Sequence, residues 1–244
     1  MKIKNIKSFI DFYKTMNVSV SISQQSRYES TKNDTKEKKH YIDKVPLEPN
    51  NKESALKQLY KEIETSDCNL KDIATNLVFS DGNKDSNIML IGEAPDVDED
   101  KLGKPFVGQA GKLLNKMFQN IGLIRSKNFY VTNVVFWRPP GNRPPNKNEI
   151  NICLPFTKLH IKIINPKLIV LLGNVAAQSI LNTDSSIGFL RKKDLFYTDE
   201  KNKLNIPVKS TFHPAYLLRN PIEKKKVWED LLKISDYILE KGII

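Results

Sequence analysis

Three polar side chains of different chemistry each sit where a short apolar run ends. Glu93 follows Ile88 to Gly92, Asn133 lies near the end of NFYVTNVV (Asn128 to Val135), and His213 follows Ile206 to Phe212. A carboxylate can stabilise a developing cation and orient a water molecule. A side-chain amide can donate to one atom of a ligand and accept from its neighbour. An imidazole can donate to an atom that gains negative charge. Phe106, in Pro105-Phe106-Val107-Gly108, offers an aromatic face for stacking. Singly, each residue has a plainer reading: a solvated loop acid, a turn or cap amide, a structural histidine, a core aromatic. Together they describe a cleft that could grip a flat polar ligand and break a bond in it.

The elements that must carry these residues follow from periodicity. Ile88 to Gly92 reads as a short buried strand broken sharply by Glu93-Ala94-Pro95-Asp96, after which an acidic loop is expected. Asn128 to Val135 is rich in β-branched and aromatic residues, and Lys167 to Gly173 is a continuous apolar run. Ile206 to Phe212 makes a fourth strand, and Asn76 to Phe79 is a possible further one. Helical spacing appears over 53–63, 112–121, 148–164, 174–181 and 222–239, with Pro155 expected to kink or split the third of these. Residues 187–205 read as a basic hairpin or loop. Strands alternating with helices predict an α/β fold: three layers, α/β/α, around a central, mostly parallel four-stranded sheet. In such sheets ligands bind beyond the carboxyl ends of the strands, which would bring Glu93, Asn133 and His213 together.

The chain has 244 residues, 39 basic and 28 acidic, for a net charge of +11. That excess fits a polyanionic partner such as nucleic acid, and equally an AT-biased coding sequence, since Lys, Asn and Ile are all abundant. Residues 1–50 read as a basic, partly disordered extension. A short amphipathic helix is expected at Ile6 to Met16, and a polar stretch at Ser21 to Lys44. Residues 51–244 read as one catalytic domain. No run approaches a membrane span, no signal peptide is expected, and two cysteines argue against a disulfide framework. The expected location is the bacterial cytoplasm or nucleoid.

Four blocks in order carry a specific resemblance: GEAPDVDED, GKPFVGQAGKLL, TNVVFWRPPGNR and HPAYLLRNP. From about Cys68 to Ile234 the chain resembles the family 4 uracil-DNA glycosylases. The resemblance implies a glycosylase that hydrolyses the N-glycosidic bond of a uracil flipped out of DNA, leaving an abasic site for base-excision repair. It implies catalytic roles for Glu93, Asn133 and His213, and a base pocket of Phe106, Gly92, Ala94, Asp96 and Asn142, with Glu99 a weaker candidate. On a loop expected over His213 to Arg219, Leu217 or Leu218 would wedge into the stack, and Arg138, Arg143 and Arg219 would meet phosphates, with Lys224 to Lys226 as further candidates. The implied partner is uracil-containing DNA, bound by a monomer with no obligatory protein partner.

Two departures from the family stand out. Its members usually hold a four-iron–four-sulfur cluster on four cysteines, of which only Cys68 and Cys153 remain here; Thr65 and Trp137 stand at the other two positions. No cluster, metal or other cofactor is expected, with Trp137 filling the vacated space and both thiols buried. Asp96 stands where the family commonly has glycine, at a turn position that in related enzymes faces the C5 atom of the base. The competing readings are a silent damaged-DNA-binding module, a glycosylase for another deaminated base, and a metal-dependent nuclease built on the acids of 96–100. The last lacks partner acids at other strand ends.

Overall fold

The computed structural model describes residues 51–244. The helix expected at 6–16 and the polar stretch at 21–44 lie outside them. In chain order the elements are α1 (Lys52–Glu64), β1 (Asp81–Gly82), β2 (Ile88–Gly92), α2 (Val97–Leu102), α3 (Gln109–Gln119) and α4 (Arg125–Asn128). Then follow β3 (Phe129–Asn133), α5 (Lys147–Ile164), β4 (Leu168–Leu172), α6 (Asn174–Leu181), α7 (Ile187–Leu190), β5 (Leu195–Asp199), β6 (Leu204–Thr211), α8 (Pro214–Arg219) and α9 (Lys224–Glu240).

The four expected strands are parallel and adjacent in the order β3-β2-β4-β6. The sheet itself has six strands, because β1 and β5 add antiparallel edges. The four-strand expectation is corrected on that point: two-residue β1 is too short to leave a periodic signal, and β5 lies within the expected hairpin. Residues 76–79 form no strand. Every residue of β2, β3 and β4 is buried. Their side chains alternate between two cores, as a pleated strand requires. Met89, Ile91, Tyr130 and Leu171 pack with α1, α5 and α6 on one face. Ile88, Leu90, Val131 and Leu172 pack with α3 and α9 on the other. Helices therefore cover both faces, giving the expected α/β/α layering.

Three local readings change. The acidic loop after Pro95 is the helix α2, opened by a capping box in which Asp96 and Glu99 exchange side-chain and backbone bonds. The HPAYLLR stretch is the helix α8 rather than a loop, with His213 as its N-cap and Pro214 at its first position. Pro155 leaves α5 continuous over 18 residues. The carbonyl it cannot pair belongs to Asn151, which is exposed, so water can satisfy it. In α1, Leu59 and Ile63 are buried, and Tyr60 is 37% exposed. No helix among the described residues is long and apolar enough to cross a membrane.

A buried ionic network fixes the end of β6, just before His213. Asp230 of α9 accepts from Thr211 Oγ1 at 2.8 Å and from Arg191 Nε at 2.8 Å, and its other oxygen lies 2.8 Å from Arg191 Nη2. The two charged side chains are 6% and 3% exposed. Asp230→Ala leaves that guanidinium buried without its partner, and the expected cost is about 3–5 kcal/mol. A urea unfolding midpoint equal to that of the wild type would contradict this.

Candidate active site

The register of the sheet places Gly92, the last residue of β2, directly beside Asn133, the last of β3. A Cβ at position 92 would lie 2.4 Å from Asn133 Oδ1 and 2.4 Å from Phe106 Cζ. Glycine is required there because an amide and an aromatic edge both close on its α-carbon. Asn133 is 1% exposed, and neither Oδ1 nor Nδ2 has a hydrogen-bond partner among the described residues. A buried amide left unpaired costs about 1–3 kcal/mol per group, so such a group is a place where a ligand is expected.

Phe106 is held in an unusual shape. Its φ is +54°, in the left-handed region that costs a non-glycine residue about 1–2 kcal/mol. Three contacts impose it. Arg125 donates from Nη2 to the Phe106 carbonyl at 2.7 Å and from Nη1 to the Pro105 carbonyl at 3.0 Å. The Glu99 carboxyl accepts from the Phe106 backbone N–H. Gly111 of α3 packs so closely that a Cβ there would sit 1.9 Å from the Phe106 carbonyl oxygen. The ring is turned toward His213, with centroids 5.6 Å apart and planes at 36°.

His213 is set by the strand-to-helix turn. Its Nδ1 accepts from the Ala215 backbone N–H at 3.2 Å, so the ring proton resides on Nε2. Burial, helped by the charge of Arg219, pushes its pKa down to about 4. At neutral pH His213 is therefore an uncharged donor through Nε2. Gly173, at φ +91°, allows this approach, since a Cβ there would lie 2.9 Å from that of His213.

Glu93 completes the set. It is half-buried; burial raises its pKa, and Arg219 partly offsets the rise. Glu93, Phe106 and His213 line one cleft of about 830 Å³, which Leu218 and Arg219 also border. Asn133 lies behind Phe106 and Gly92 rather than on the cleft wall. Ala94, Asp96 and Asn142 also line it. Asp96 does not point free into solvent: its carboxylate accepts from the Asp98 and Glu99 N–H groups at 3.0 and 3.1 Å. Glu99 is 4% exposed, and burial followed by the Asp96 charge pushes its carboxyl up to about 8.

The sequence that builds this site matches a known family. The sequence model of the uracil DNA glycosylase superfamily matches residues 79–232. The type-4 uracil-DNA glycosylase of Sulfurisphaera tokodaii is 41% identical over 173 residues, covering 69% of this chain and 78% of the relative. That of Thermotoga maritima is 39% identical over 178 residues, covering 72% and 90%. The chain belongs to the uracil-DNA glycosylase superfamily, in its type-4 branch.

For a uracil-DNA glycosylase of this branch the cluster positions can be tested directly. Cys68 and Cys153 are both free and buried, and their thiols hydrogen-bond to each other. That bond holds Cys68 below the usual thiol range; with burial it holds Cys153 well above it. Trp137, 3% exposed, packs in the same apolar core as the two thiols. Thr65 is exposed and bonds back to the Lys61 and Glu62 carbonyls of its own helix. These four positions supply two soft ligands and one filled space, so they do not fit a four-thiolate cluster.

The DNA-facing candidates divide. Leu217 is fully buried in the core under α8 and cannot act as a wedge; the next residue, Leu218, is 45% exposed at the cleft rim. The helical turn puts the two on different faces. Arg143 places both guanidinium arms on Glu149, at 2.9 and 2.6 Å, and Glu149 is fully buried. It is thus an anchor of the RPP loop rather than a free cation. Arg138 donates from Nε to Asn142 Oδ1 at 2.6 Å, and Asn142 sits at φ +56°. Arg219 is exposed beside the cleft. Arg125 was not singled out from the sequence. It sits 19 residues from the Phe106 carbonyl it grips, and nothing in local spacing marks that contact.

Proposed function

We propose that this uracil-DNA glycosylase reads, stacks and releases uracil with Asn133, Phe106, His213 and Glu93. The Asn133 amide donates to one atom of the uracil edge and accepts from the next, and Phe106 stacks on the ring. As the bond between N1 and C1′ breaks, its electron pair moves into the base, and His213 Nε2–H stabilises the charge gathering on a carbonyl oxygen. A neutral donor suits this task because it need not give up its proton. Glu93 faces the sugar, stabilises its oxocarbenium character and orients the water that adds to C1′. The products are free uracil and an abasic site. Gly92, Ala94, Asp96 and Asn142 frame the base.

The observation that carries this reading is the Asn133 amide, buried and unpaired across Gly92 from the Phe106 edge, with the Phe106 ring in turn facing a neutral imidazole. Leu218 fills the gap left by the flipped base, and Arg138 and Arg219 meet the backbone. The enzyme works as a monomer in the cytoplasm or nucleoid, without a cluster or other cofactor. Residues 51–244 form its catalytic domain and 1–50 a basic extension.

The test is a labelled duplex with one U opposite G, incubated with the protein in EDTA and then treated with alkali. Strand cleavage at the uracil is expected. Intact strands, with U opposite A and single-stranded U also untouched, would overturn the assignment. In the same assay Leu218→Ala is expected to slow duplex cleavage by about 5- to 20-fold. Single-stranded uracil needs no wedge, and its rate should stay within about twofold. Equal slowing on both substrates would remove Leu218 from this role.

A further inference from the structure

We propose that Arg125 is a positioning residue for base recognition: its guanidinium holds the backbone of Phe106 so that the ring presents its face to the flipped base. The inference rests on the reading of Phe106 as the stacking platform.

Arg125 opens α4 and is not among the residues that line the cleft. Its side chain is 14% exposed. Four hydrogen bonds fill its fork. Two go to consecutive loop carbonyls, Pro105 and Phe106, at 3.0 and 2.7 Å. The other two go outward, from Nη1 to Asp81 Oδ2 and from Nε to Asn115 Oδ1, each at 3.0 Å. Asp81 belongs to the edge strand β1 and Asn115 to α3. The guanidinium therefore ties the loop to two rigid elements at once. Gly82 brings β1 within reach: at φ +91°, a Cβ there would lie 2.3 Å from the Phe129 carbonyl and 3.2 Å from that of Arg125.

The geometry needs a planar fork. Two adjacent carbonyls that point the same way, a carboxylate and an amide oxygen cannot all be served by one ammonium. They point that way because Phe106 is in the left-handed region. Without Arg125, both carbonyls lose a charged donor, and the loop is free to relax to an ordinary φ. The ring would then swing from the edge of Gly92 and lose its alignment with the base. A misplacement of about 1 Å is enough to cost up to about 100-fold in rate.

The experiment is a double-mutant cycle read by single-turnover cleavage of the U:G duplex, with thermal unfolding measured beside it. The variants are Arg125→Met, Phe106→Ala and the pair. Arg125→Met is expected to lower the rate by about 10- to 100-fold. In the Phe106→Ala background it should change the rate by less than about twofold, because there is no ring left to aim. The loss in melting temperature should persist in both backgrounds, which separates aiming from general stability. Arg125→Lys should not restore the rate, although it keeps the charge. If Arg125→Met does not fold, Arg125→Lys takes its place in the cycle.

An Arg125→Met rate equal to the wild type, with Phe106→Ala impaired, overturns the inference. So does an equal penalty with and without the ring. Wild-type activity in Phe106→Ala would instead sink the stacking role on which the inference rests.

Discussion

His213→Ala is expected to lower the single-turnover rate on U:G duplex by about 10²–10³-fold, with little change in DNA affinity. The size follows from what is lost. His213 offers one preorganised donor in a site where water is scarce, and its Nδ1 is already occupied by the Ala215 N–H. The donor acts only as charge gathers on the base, so its removal lowers the rate of the chemical step and not binding. The protonation state sharpens the prediction. With its pKa pushed to about 4, His213 stays neutral across the physiological range. An NMR titration of the ring should show a midpoint near that value, and the acid limb of the wild-type rate should not track an ordinary histidine near 6.5. A midpoint well above 7 would mean the active form carries an imidazolium and would overturn the neutral-donor mechanism. The stability consequence has a definite sign. Between about 6.5 and about 4 the unfolded chain takes up a proton that folded His213 refuses, so stability falls as pH falls through that window. His160, also buried and held down to about 3, adds to the same trend. His213→Ala should therefore be less sensitive to acid than the wild type.

Asn133→Leu is expected to separate stability from activity. The amide is buried and makes no hydrogen bond among the described residues. An apolar side chain of similar size removes that desolvation penalty, and the expected gain is about 1–3 kcal/mol. The same change deletes both contacts to the uracil edge and leaves the base's own polar atoms unpaired. The expected loss in kcat/KM is about 10²–10³-fold, from two hydrogen bonds of about 1.5–2 kcal/mol each. A higher melting temperature together with a nearly silent enzyme is the signature of a residue kept for its ligand. Thermal unfolding and the cleavage assay, run on one preparation, check both halves. A destabilised Asn133→Leu would mean that the amide has a structural partner. A stable variant with wild-type rate would remove Asn133 from uracil recognition.

Much of this protein is determined by sequence alone. The apolar runs at 88–92 and 167–173 can only be buried strands, and helices at the expected spacing leave a parallel sheet as the way to cover them. Once the sheet is parallel, strand ends collect on one side, and Glu93, Asn133 and His213 converge there. The ordered motif blocks add what periodicity cannot: the superfamily and its chemistry. The stretch after Pro95 reads as an acidic loop, although an acid three residues before a glutamate is a helix-start pattern, and the structure makes it the capping box of α2.

Tertiary structure alone decided the finer choices. Leu217 and Leu218 are equally apolar neighbours, and only the packing of α8 shows which is buried. Arg143 and Arg219 have the same side chain and both border the cleft, yet a fully buried Glu149 claims only the first. The His213 tautomer depends on one backbone N–H two residues on. The left-handed Phe106 is held by Arg125, which reaches it from a different element. Periodicity reports which face of a strand or helix meets the core. It carries no record of contacts between residues far apart in the chain, and those contacts are what aim the side chains of this site.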